Sequence, residues 1–101
     1  MTREEIVEFI EDRGYNDCQI VLADGLEDAF VGVAIRCGGV PVAVYDYEKC
    51  VKILMDRDSV SEDDAREHMD YNVVGAWVGE ATPWFLTDLI VVAEKPKADV
   101  N

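Results

Sequence analysis

AFVGVAIRCGGVPVAVYD, residues 29–46, sets two apolar runs on either side of Gly38-Gly39. A glycine pair suits the positive φ angles of a two-residue hairpin turn. With those glycines as the whole loop, Cys37 faces Val40, Ile35 faces Val42 and Val33 faces Val44. That register gathers Val31, Val33, Ile35, Cys37, Val40, Val42 and Val44 on one apolar face, ready to receive helices. The other face carries Phe30, Ala34, Arg36, Pro41, Ala43 and Tyr45 and is mixed. Pro41, with its missing N–H turned away from the hairpin partner, marks residues 40–46 as an edge strand.

Upstream, Cys18, Ile20 and Leu22 alternate with Gln19, Val21 and Ala23, which predicts a strand over residues 18–23. Asp24-Gly25-Leu26-Glu27-Asp28 is a loop short enough to return directly into the hairpin. A three-stranded antiparallel meander follows, with residues 29–37 in the middle. Before it, Thr2-Arg3-Glu4-Glu5 is a capping box for an amphipathic helix that turns Ile6, Phe9 and Ile10 inward and stops at Gly14. Downstream, Asp46 switches the apolar period from two to 3.6 and caps a helix over residues 47–57, with Cys50, Val51, Leu54 and Met55 inward. Ser61-x-x-Asp64 opens another helix over residues 62–72, with Ala65 and Met69 inward. Gly75 ends the helical pattern, Gly79-Glu80 is a turn, and residues 84–92 form a fourth strand after Thr82-Pro83. The predicted fold is α+β: a small antiparallel sheet of three or four strands with three helices packed on it. Residues 1–94 make one domain, and 95–101 are a frayed tail.

Half of the 101 residues are apolar, so the chain builds a core despite a net charge of −13. No apolar run reaches the roughly 20 residues of a membrane span, and no signal peptide precedes the first helix, which predicts a soluble cytoplasmic protein. Cys18, Cys37 and Cys50 are scattered and odd in number, the pattern of free thiols buried as small hydrophobes. The charge is uneven: −7 over residues 1–30, zero over 31–47, −4 over 48–72 and −2 over 73–101. Such a surface repels nucleic acid and anionic membranes. It serves either solubility, including in a salty cytosol, or a partner protein whose surface is basic.

Few residues carry a chemistry. His68 is the single histidine and has no neighbouring nucleophile, so it predicts a structural or surface role. Asp56 to Glu67 spaces acids loosely like a calcium loop, but Val60 and Ser61 occupy positions that need an oxygen ligand and a glycine. The glycines match no phosphate-binding loop. The pattern therefore predicts no metal and no cofactor. Asp24, Asp28 and Asp46 fall at neighbouring strand ends of the meander. With Glu80 they form the alternative ligand site, a general acid/base set or magnesium site; otherwise each serves as a turn or cap residue. Tyr71, Trp77, Trp84 and Phe85 are a late aromatic cluster, for packing or docking.

Three strings, DGLEDAFVG at residues 24–32, VYDYEKC at 44–50 and NVVGAWVGEATP at 72–83, resemble a widespread family of small proteins encoded by phages and prophages. The resemblance spans roughly residues 24–86. It brings no activity with it, but it implies a viral or mobile-element setting, hence the cytoplasm of an infected or lysogenic host cell. Small acidic proteins from that setting often block host defence, sometimes by imitating the charge of DNA. The sequence-based expectation is a non-enzymatic inhibitor of a host protein with a basic surface, of the anti-CRISPR or similar anti-defence type. Its acidic contact residues would be Glu8, Glu11, Asp12, Glu62, Asp63, Glu67 and Asp70. A homodimer through residues 40–46 or the aromatic cluster is the further partner expectation.

Overall fold

The computed structural model of the chain describes residues 1–15, 20–35 and 37–88. In chain order these give helix α1 (Arg3–Asp12), a 3-10 turn (Glu27–Ala29), β1 (Phe30–Ala34), β2 (Val42–Asp46), α2 (Tyr47–Asp58), α3 (Glu62–His68), a π-helical stretch (Met69–Val74) and β3 (Trp84–Leu86). The α+β class is as expected. The three helix starts follow their caps. Thr2 and Glu5 exchange hydrogen bonds at 2.7 and 3.2 Å, and the Ser61 hydroxyl accepts from the Asp64 N–H at 3.2 Å. The Asp46 carboxylate accepts from the Glu48 and Lys49 N–H groups at 3.0 and 3.5 Å. Ser59 closes α2 in the left-handed conformation, φ +54.

The sheet departs from the meander. Its order is β1-β2-β3, with β1 antiparallel to β2 and β3 parallel to β2. Residues 40–46 were expected at an edge, but β2 is the central strand and is buried along its whole length. The parallel partner follows from α2 and α3, which supply the long crossover that parallel neighbours need. Residues 20–23 form no strand. The Ala23 N–H donates instead to the Tyr45 hydroxyl at 2.8 Å, so a side chain ties this segment to the sheet where a ladder was expected. Cys18, Gln19, Arg36 and residues 89–101, including the rest of the expected fourth strand and the tail, lie outside the described residues.

The hairpin register also differs by one residue from the expected one. Val33 pairs with Ala43 and Ala34 with Val42, after which pairing stops, so the connection runs over residues 35–41. Only Gly38 of the glycine pair has a positive φ, +74, whereas the two-residue turn most typical of a glycine pair needs both. At the other end Phe30 pairs with Tyr45 but Gly32 with Val44, which makes Val31 a bulge, and Gly32 takes φ +153 to accommodate it.

With that register the helix-facing side is the one expected to be mixed. Ala43 and Tyr45 join Leu26, Ala29, Cys50, Val51, Leu54, Ala65 and Met69 in one buried cluster. Aromatic volume decides the face, because large rings bury more apolar area than valines do. Phe9 of α1 meets Phe30 edge-on at 6.1 Å, Phe30 meets Tyr45 at 5.7 Å, and Tyr45 stacks on Phe85 at 5.7 Å. This row links α1 to all three strands. Val31, Ile35 and Val40, expected in the core, are exposed.

Candidate functional site

The face of the sheet away from the helices carries a cleft of about 350 Å3, lined by Val40, Val42, Trp77, Glu80, Thr82 and Trp84. Period-two alternation builds its floor. Tyr45 and Phe85 are partners across β2 and β3 and turn to the helices, so Val42, Val44 and Trp84 turn the other way. Val42 is 3% exposed, while Trp84 is 47% and Trp77 75% exposed. The valine is a fixed floor beneath two accessible indoles.

The wall is a folded turn. Gly75 ends the π-helical stretch where a Cβ would lie 2.9 Å from the Asp70 carbonyl oxygen. The Thr82 hydroxyl accepts from the Val78 N–H at 2.9 Å and donates to the Gly79 carbonyl at 2.6 Å. The Thr82 N–H reaches that same carbonyl at 3.1 Å, with Gly79 at φ +106. This closed turn presents Trp77 and Glu80 beside Trp84. The aromatic cluster read from the sequence is thus divided. Trp77 and Trp84 share the cleft, Phe85 stacks in the interior, and Tyr71 stands exposed beside His68 and Glu67.

The acidic residues singled out from the sequence, Glu8, Glu11 and Asp12 on α1, Glu62, Asp63 and Glu67 on α3, and Asp70 just after it, are all exposed. Glu62 pairs with Arg66 at 2.8 Å, and Asp70 accepts from the Tyr47 hydroxyl at 2.8 Å. Among the described residues the other five, and Asp70, make no ion pair. Arg66 also grips Glu48 through two hydrogen bonds at 3.0 and 2.9 Å while its guanidinium lies 5.9 Å from the Tyr47 ring centre. Those bonds hold the Glu48 carboxyl below its usual range and Arg66 firmly charged.

Asp24, Asp28 and Asp46 do not converge. Asp24 pairs with Arg3 at 2.5 Å, Asp28 with the N-terminal ammonium at 2.7 Å, and Asp46 caps α2. The ammonium pulls the Asp28 carboxyl down, the opposite of what crowded carboxylates would do. Glu80 belongs to the aromatic cleft. Among the described residues no three acidic, histidine or cysteine side chains stand close enough to share a metal ion. His68 is exposed, its Nδ1 3.4 Å from the Asn72 amide nitrogen. Cys50 is buried as expected, and burial pushes its thiol up to about 12. Cys37, expected inside, is exposed in the loop between β1 and β2. No helix among the described residues is long and apolar enough to cross a membrane.

No family model, curated protein or solved structure matches the chain.

Proposed function

We propose that this chain is a non-enzymatic binding protein that inhibits a host protein with a basic surface, in a cell infected by a phage or carrying a prophage. The observation that carries the reading is the charge: −13 overall, with Glu8, Glu11, Asp12, Asp63, Glu67 and Asp70 exposed and outside any ion pair among the described residues. Uncompensated acid raises self-repulsion in the folded state, and a cationic partner relieves it. Like charge repels nucleic acid, so the partner is a protein, of the kind whose basic surface otherwise holds DNA or RNA. The phage setting and the anti-defence role rest on the strings at residues 24–32, 44–50 and 72–83.

Capture from host lysate at low and high salt tests the reading, followed by titration of the captured protein with wild type and with a Glu62→Lys, Asp63→Lys, Glu67→Lys, Asp70→Lys variant. Wild-type binding should fall steeply with salt, and the variant should lose it, since exposed charges act over a Debye length of about 8 Å at physiological salt. Undiminished binding by the variant refutes the acidic contact surface.

A further inference from the structure

The cleft between Trp77 and Trp84 has the lining of a cation site. It combines two indoles, one carboxylate from Glu80 and an apolar floor from Val40 and Val42, and among the described residues no lysine or arginine lines it. Its volume, about 350 Å3, falls at the lower end of ligand pockets, roughly 300–1,000 Å3. Two indoles at 75% and 47% exposure are a standing loss of apolar contact that an occupant would recover.

The chain itself shows what such a set of groups holds. Arg66 lies over the Tyr47 ring with Glu48 and Glu62 on its nitrogens. Arg13 lies over the Phe9 ring, 4.8 Å from its centre. An aromatic face is the setting this fold gives to both guanidiniums, with carboxylates beside it at Arg66, and the cleft offers the same groups with no guanidinium among the described residues.

We propose that the cleft receives an arginine side chain of the basic partner, an inference that rests on the partner reading above. The guanidinium plane stacks on indole faces, and its N–H fork meets a carboxylate with two bonds. The ammonium of lysine offers neither the plane nor the fork. Charge complementarity selects the occupant: an exposed carboxylate beside two indoles on a chain of net charge −13 admits a cation and rejects an anion.

Both tryptophans of the chain line this one cleft, so intrinsic indole emission reports on it alone. The test is a fluorescence titration of the full chain with a short arginine peptide, with its citrulline counterpart as the neutral isostere, and with a lysine peptide. A saturable change with arginine is expected, about tenfold weaker with lysine and absent with citrulline. Glu80→Gln, an exposed substitution that leaves the core untouched, should weaken arginine binding about tenfold, as should Trp84→Ala. An equal response to citrulline, or no response to arginine at low salt, overturns the assignment. So does an emission that changes with protein concentration alone alongside a dimer in sedimentation, which would put a second copy over the cleft. The lysine-reversed α3 variant separates the two readings. Its peptide response should persist although its partner binding is lost; in the wild type, a failed peptide response with intact salt-dependent partner binding removes the cleft assignment alone.

Discussion

Replacing Tyr45 by Phe isolates one hydroxyl in the middle of the core. The ring remains, and with it the contact with Phe30 and the stack on Phe85, both at 5.7 Å. What disappears is the acceptor for the Ala23 N–H at 2.8 Å. A neutral hydrogen bond contributes about 1 kcal/mol net, and an orphaned buried donor costs about 1–3 kcal/mol. Ala23 is half-buried, so water recovers part of the loss and the expected cost is about 1 kcal/mol. For a domain of this size that lowers Tm by roughly 4–8 °C. Tyr45→Ala, by contrast, removes the ring as well and should cost about 3–5 kcal/mol, a large share of a typical domain's stability. The assay is urea unfolding of the three proteins, with amide exchange followed at Ala23. Tyr45→Phe should lower the midpoint and speed exchange at Ala23 while the β2 amides stay protected. Unchanged exchange at Ala23 would mean that residues 20–23 are held by a strand ladder after all, and the account of why they are not a strand would fall.

Two further outcomes follow from the titrating groups. Glu48 has a folded pKa held below its unfolded value, first by its bonds to Arg66, so its stabilising effect is complete above about pH 4.3 and is lost as pH falls through the folded value. Urea midpoints measured downward from about pH 6 should therefore drop on acidification, and less so in Glu48→Gln; an equal drop in both would show that this pair does not contribute. Thiol labelling with peptide mapping should modify exposed Cys37 in the folded protein and Cys50 only on unfolding, because burial pushes the Cys50 thiol up to about 12. Labelling of both at one rate would place Cys50 outside the core.

What could be read from the sequence was what is decided within a few residues. Thr2, Asp46 and Ser61 cap helices because a short polar side chain reaches an N–H two or three residues on, and no distant residue competes for that bond. The register, the core face and the position of β2 were not readable this way. They depend on the bulge at Val31, on where three aromatic rings find room, and on a helical crossover that brings β3 alongside in parallel. A count of apolar residues favoured the valine face, since it does not weigh one ring against two methyl groups. The cleft was half visible. The tryptophans stood out, but period two sends neighbours Trp84 and Phe85 to opposite faces, and the Thr82 turn brings Trp77 back to Trp84.

Under the proposal, the acidic helices and the aromatic cleft act on different steps of binding. Exposed carboxylates on α1 and α3 act at a distance, are screened by salt, and so govern the rate of encounter. The cleft acts only on contact. The Val42 part of its floor belongs to β2, the most buried strand, and Val42 cannot move without disturbing Ala43 and the helix-facing core beside it. A rigid floor spares the ordering cost of an anchor site, so the cleft bears on dissociation more than on association. The division also explains why the hairpin is neutral while its flanks are acidic. The strands that build the floor must first be buried, and charge there would have to be desolvated on folding, whereas charge on α1 and α3 stays in water until a partner arrives.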